Sequence, residues 1–596
     1  MSFISIVMLQ IGAYLAIGLF LSSLAVKHRY IPKEFALASA FAFIGLIYYI
    51  VFFVSLRNPG HGKSLNTIIY LVGGVLIVYG LFKLKYLLKN KNFKIFILLP
   101  LTVIVVALSY YTVLLKNCQI PTVSGLDYSN SAYCYLSKLP GDNSLPLIFA
   151  QNIEERTPKS LVGGWNLVDR PPIQIGVGLG VLQLSGKLPA ITESYQVIAT
   201  YLQLSWIAAI FGLLITLGLR LRDTLLITGT MIFTGVLFIN SIFVWPKLFA
   251  GSLALVGCVL LLDFANKNRA KTIISSMIFI VISLLIHDAV IFTILGLAAV
   301  LIYIYVKNKI SNPKKLVKKL PLKPIIMGCL ISVIILTPWM IYKDRNSTSD
   351  RLTKWEFAGV VVPNNKPTLS TIINSYESIS INTWLKTREI NTKTMIVPEL
   401  NKNIVNGVKS FGFSKSSLRS TLSNFSAWFQ VNDFYVLLFT FGFFNLGWIA
   451  LLFKKNPIKL SQLQKHLLEV SLIGLVFWVV LIFIPGLTII HVGSYATLLL
   501  LFGLLGTWLA RTKVLYALFF IQFLLFNLFW IIGNYPIYNL SLRKSLIGVI
   551  SSVIVAAFFI LICEASGNVS LPDQKQRNTP SKLQNKLKPY VQKLNI

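Results

Sequence analysis

Apolar runs of about 20 residues recur along the whole of this chain, separated by short polar segments. Each run is long enough to cross the ~30 Å hydrocarbon core as a helix. They lie near 4–25, 35–55, 66–83, 95–115, 197–219, 224–244, 248–265, 272–289, 290–306, 324–341, 432–453, 467–490, 496–510, 514–533 and 544–562. Lipid offers no partner to free backbone groups, and no barrel-type alternation appears, so helices are the remaining architecture. The first run lacks the basic n-region and cleavage site of a signal peptide and reads as a retained span. The pattern predicts an all-α polytopic membrane protein of about 13–15 transmembrane helices.

Charge refines this picture. The net charge is +35, from 55 Lys and Arg against 20 Asp and Glu. In a soluble chain that balance would suggest nucleic acid. Here the basic residues crowd the connectors: Lys27, Arg29 and Lys33; Lys83 to Lys94; Lys267, Arg269 and Lys271; Lys307 to Lys323; Lys454 to Lys465; and a tail from Lys575 to Lys593. That is the positive-inside distribution, with the tail drawn to an anionic inner leaflet. Membrane lipids are therefore expected partners and nucleic acid is not.

Placing 27–34 inside puts 116–172 outside. If the short apolar piece 173–186 crossed fully, every later lysine-rich connector would fall outside. If it dips and returns, 220–223, 266–271, 307–323, 454–466, 511–513 and the tail all fall inside, as the rule requires. The piece has about 14 residues, short of a span, and four glycines. It is expected to be re-entrant, with a cavity or protein covering its backbone. The chain then divides into N-terminal membrane helices (1–115), a first outward loop (116–172), a central membrane region (173–341), a second outward loop or helical cap (342–431), C-terminal membrane helices (432–562) and a basic cytoplasmic tail (563–596). Cys118 and Cys134 share the first outward loop, where a disulfide or two free thiols both fit. Cys258 and Cys329 fall in apolar runs and read as packing residues.

Acidic residues are scarce and most lie in the two outward loops. Asp142 opens GDNSLPLIFAQNI, where Leu145, Ile148, Phe149 and Ile153 follow helical spacing, and it reads as an N-cap. Asp169 and Arg170 stand before Pro171 and Pro172, which fix an extended entry and cannot continue a helix backwards. A charge held at the membrane face needs a partner, so the pair is either a boundary salt bridge or part of a site.

These pieces, GDNSLPLIFAQNI (141–153), GGW (163–165) and DRPPIQ (169–174), resemble the first extracytoplasmic loop of GT-C glycosyltransferases, such as protein O-mannosyltransferases and aminoarabinose transferases. NSIFVWPKL (240–248), IHDA (286–289), TPWMIYKD (337–344) and DRLTKWEFAG (350–359) resemble bacterial GT-C-like membrane proteins that carry DRPP. The resemblance covers mainly residues 140–360. In this chain three further spans precede the loop, Asn143 stands where a second acid is usual, and Gly164 stands where an Asp is frequent.

The resemblance implies a GT-C-like bundle in a bacterial cytoplasmic (inner) membrane. It further implies transfer of a sugar from a polyprenyl-phosphate donor to a glycan, lipid or protein acceptor on the outer face. A carboxylate must take the proton of the acceptor hydroxyl; that role maps to Asp142, with Asp169 as a second catalytic carboxylate. Cations must stabilise the departing phosphate; the candidates are Arg170, Lys247, His287 and Arg351. Trp165, Trp245, Asp288 and Trp355 are candidate substrate contacts, although interfacial tryptophans and a polar turn account for them equally. His287 and Asp288 are expected at the outer tip of an apolar hairpin, 272–306. No motif demands a cofactor. A divalent metal is compatible, but the acidic pairs that usually build its site are missing.

Two other classes fit the same pattern. A polysaccharide polymerase or O-antigen ligase also has many spans and a large outward loop, but would want His beside the arginines of 342–431. A lipid or small-molecule transporter would want ionisable residues near mid-membrane, whereas Asp263, Asp433 and Glu469 fall near span ends.

Overall fold

The computed structural model describes residues 3–117, 131–136, 139, 141–157, 167–184, 188–267, 270–311, 321–346, 351–360, 366–398, 402–437, 460–486, 495–510, 513–533 and 542–566. Among them every element is helical. The chain starts with α1 (Phe3–Lys27), α2 (Ala36–Arg57), α3 (Pro59–Lys89) and α4 (Lys91–Asn117). Then come α5 (Leu145–Glu154), α6 (Pro172–Leu182), α7 (Leu188–Gln203), α8 (Ser205–Thr216), α9 (Leu221–Ile232) and α10 (Gly235–Ile242). The central region continues with α11 (Lys247–Lys267), α12 (Lys271–Ile286), α13 (Ile291–Ser311) and α14 (Leu322–Asn346). The second loop forms α15 (Arg351–Ala358), α16 (Thr368–Ser378), α17 (Ile381–Ile396), α18 (Lys402–Lys409) and α19 (Lys415–Tyr435). Last are α20 (Gln462–Leu481), α21 (Tyr495–Leu509), α22 (Lys513–Phe526) and α23 (Leu542–Ser566).

Among the described residues ten helices are long and apolar enough to cross a membrane, or eleven if α9 and α10 count as one bent span. This is a multi-pass membrane protein. Leu71, Val75, Leu81 and Phe82 of α3 are exposed, which water would penalise and lipid does not. The count is lower than the 13–15 the hydropathy pattern predicts because several apolar runs fold into shorter pieces and others reach beyond the described residues. The run 272–289 yields the 16-residue α12, and 496–510 the 15-residue α21. The run 224–244 breaks between α9 and α10 with a 69° bend. There the Gly235 amide donates to Asp433 Oδ2 at 3.0 Å, and the Trp530 indole N–H donates to the same oxygen at 2.9 Å. A buried carboxylate thus caps the N-terminus of α10. The run 432–453 lies mostly outside the described residues.

Side-chain contacts sort the connectors to two ends of the bundle. At one end Lys271 stacks on Tyr30 at 5.1 Å, Ser275 donates to the Tyr30 carbonyl at 2.9 Å, Arg222 lies over Tyr516, and Cys563 touches the Arg222 carbonyl. The loops expected on one side by the lysine rule therefore share one end. The opposite end carries the α2–α3 elbow, where Asn58 caps α3 by accepting from the Gly60 amide, together with α5.

The segment expected to dip is α6. It is 11 residues long and buried almost throughout, about 16 Å at 1.5 Å per residue and too short to cross. It runs beside α2 in the same direction. Ile173 packs near Gly45 and Gly176 on the Tyr48 backbone, while Gln183, just past its end, donates to Ser55 near the end of α2 at 3.1 Å. Gly176 permits this seat: an added Cβ would run into the Tyr48 carbonyl. So α6 starts at the depth of mid-α2 and ends near the α2–α3 elbow. Gln183 also donates to Glu154 at 3.1 Å, so the chain leaves α5 and finishes α6 at the same end.

Candidate functional site

Asp169 closes a 3₁₀ turn (Leu167–Asp169), and Arg170 follows it. Pro171 is extended (φ −59°, ψ 150°) and Pro172 occupies the first position of α6, where its missing N–H costs nothing. Both charged side chains are buried. The sequence suggested a pair at the membrane face; the structure sinks it to the level of mid-α2, because α6 begins there.

The WPK turn reaches the same level. Phe249, at the start of α11, packs near Gly45, the residue that also meets Ile173. Before it, Val244 holds φ 55°, a region that β-branched residues avoid. Side chains from three other segments hold this stretch. Asn143 donates to the Phe243 carbonyl at 3.0 Å, Gln196 donates to the Ile242 carbonyl, and the Tyr495 hydroxyl donates to Asn240 Oδ1 at 2.8 Å. The strained turn places Lys247 as the first residue of α11, buried, with its ammonium 3.4 Å from the Trp245 ring centroid. That is a close cation–π contact, and it occupies one face of the tryptophan proposed to stack on substrate.

His287 sits at the break between α12 and the 3₁₀ turn Asp288–Val290. Its Nδ1 accepts from the Ala289 amide at 3.0 Å. The neutral imidazole therefore carries its proton on Nε2. Lys247 and Arg170 both lie within electrostatic reach of it. Lys247, Ala289 and Tyr495 line a small pocket with His287. The first residues of α11 and α21 and the Asp288–Val290 turn thus open on one space. Helix N-termini present N–H groups and positive potential there.

Lys247 and His287, two of the four predicted phosphate ligands, therefore share this pocket, and Arg170 lies within electrostatic reach of His287 without lining it. The pocket is narrow, about the size that holds a water, so a phosphate requires a wall to move. Asp288 is half-exposed, with Oδ1 3.9 Å from His287 Nδ1. The expected 272–306 hairpin is not a packed one: α12 lies against α11 and α14, while α13 lies against α20. Trp355 is half-buried in α15 and does not line the pocket; its neighbour Phe357 stacks on Phe292, 6.0 Å away, just after the 288–290 turn. Arg351 begins α15, but its side chain lies outside the described residues, as does Trp165.

Asp142 lies within a 3₁₀ turn, Gly141–Ser144, and its side chain is likewise outside the described residues. It is not the N-cap of α5. Ser144 holds that position, without a capping bond, because the chain is already turning before α5 begins. Cys134 is disulfide-bonded, Cys258, Cys329 and Cys563 are free thiols, and Cys118 lies outside the described residues. Among the described residues no three His, Cys, Asp or Glu gather to hold a metal ion.

Sequence reasoning missed Tyr495 and Asn240. Tyr495 was hidden at the head of an ordinary apolar run, and its role appears only when α21 is laid beside α11. Asn240 stood in a quoted motif, but only its partner reveals its purpose. Compared with family models, curated proteins and solved structures, the chain matches none.

Proposed function

We propose that this protein is a membrane glycosyltransferase that moves a sugar from a polyprenyl-phosphate donor to an acceptor hydroxyl at the outer face of the membrane. The observation that carries the reading is the meeting of Lys247 and neutral His287 at the N-termini of α11 and α21, with Arg170 within electrostatic reach of His287. Such a site favours a phosphate, and favours it more as the bond to the sugar breaks and charge gathers on the phosphate oxygens. The acceptor oxygen attacks the anomeric carbon, the bond from that carbon to the phosphate oxygen breaks, and a carboxylate takes the hydroxyl proton. Asp142 and Asp169 are the candidates for that base. His287 donates a hydrogen bond from Nε2 without adding a third full cation.

The test is turnover of a polyprenyl-phosphate sugar by purified protein in nanodiscs. Arg170→Gln is expected to lose at least about 100-fold, and Asp142→Asn or Asp169→Asn to abolish proton transfer. Full activity in Arg170→Gln would sink the phosphate assignment, and full activity in both Asp variants the base assignment.

One observation favours a second reading. Helix N-termini that meet at mid-depth also build anion sites in secondary transporters. Proteoliposome uptake of an anion, without any change in the donor, would select that reading.

A further inference from the structure

A second cleft lies away from the cation pocket, between the α2–α3 elbow and the end of α5. It encloses about 400 Å³, within the range of small-ligand sites. Two arginines line it: Arg57, the last residue of α2, and Arg156, just beyond α5. Both are exposed, and among the described residues neither has a salt bridge. Arg156 Nη2 instead donates to Asn58 Oδ1 at 3.3 Å, a neutral acceptor. Glu154 spends a carboxylate oxygen on Gln183, and Glu155 is exposed. Arg156 also holds φ 53°, at a helix end where glycine is usual. An arginine kept there at a backbone cost presents its guanidinium to the cleft.

The rest of the lining is mixed. Asn58 and Asn152 offer amides, while Ile153 and Leu167 offer apolar faces. Amides beside apolar surface suit a sugar ring, whose edges hydrogen-bond and whose faces do not. Paired guanidinium groups suit an anionic substituent.

We infer that this cleft binds an acidic sugar, one whose ring carries a carboxylate or a phosphate. Leu167 opens the turn that ends in Asp169, so the bound sugar lies against the segment that carries the buried site. The inference rests on the cleft alone and is tested by binding, so it stands or falls separately from the transfer reading.

The experiment is isothermal titration of the full chain in nanodiscs of neutral lipid. The probes are glucuronate against glucose, and glucose 6-phosphate against glucose and inorganic phosphate. At least one acidic sugar is expected to bind about tenfold or more tightly than glucose and than phosphate. Arg57→Gln and Arg156→Gln should each remove about tenfold or more of that preference, and Arg156→Lys should restore part of it. The comparison of probes on the wild type needs no variant, so a misfolded variant does not decide the result. Equal binding of acidic and neutral sugars overturns the inference. So does equal binding of phosphate alone, an unchanged preference in the doubly substituted protein, or a response seen only with anionic lipid in the nanodisc.

Discussion

Lys247 is buried on the Trp245 ring and acts electrostatically on His287, as does Arg170. Lys247→Met keeps a long side chain and a sulfur–aromatic contact while removing the charge. The variant is expected to fold and to lose at least about 100-fold in donor turnover; a folded variant that still turns over fully contradicts this. At this scale the sequence was partly legible. Arg170, Lys247 and His287 stood out because charge is rare in apolar surroundings. Tyr495, Asn240 and Gln196 did not, because an ordinary polar residue in a helical run gives no sign of its partner.

Among the elements, α6 was legible in outline. Its length and glycines marked it as a piece that dips, but its direction came from contacts with α2. Gly176 is the point of closest approach, and Gly176→Ala should cost about 1–3 kcal/mol from overpacking, read as a lowered melting temperature. The cap of the second loop was legible only as a polar stretch. In the structure Arg388 of α17 donates to the carbonyls of Val480 and Ile482, and the Tyr376 hydroxyl donates to that of Leu481 at 2.8 Å. These side chains satisfy the open C-terminal carbonyls of α20, as cations at helix ends do. Arg388 therefore serves the fold, which removes it from the arginines a polymerase reading would have used. Arg388→Met should cost about 1–3 kcal/mol and expose the cap to protease while leaving donor binding intact. Helix breaks such as that between α9 and α10 were illegible, because hydropathy reads through a bend that Asp433 creates from outside the run.

For the whole molecule, the lysine pattern separated the two ends before any contact was known, and the contacts of Lys271, Tyr30 and Arg222 agree with that division. Glu155→Cys and Lys271→Cys are both exposed positions and should label with a membrane-impermeant maleimide from opposite sides; labelling from one side contradicts the arrangement. The depth of the Arg170–Lys247–His287 cluster has an electrical consequence. In the orientation proposed, an anion moving from the outer surface to mid-depth travels part of the way through the transmembrane field, against an inside-negative potential. Half the field costs on the order of 1 kcal/mol per charge at 100 mV. Occupancy of that cluster by the proposed anionic donor should then weaken several-fold when proteoliposomes are energised and recover when the potential collapses, so that binding itself reads the membrane potential.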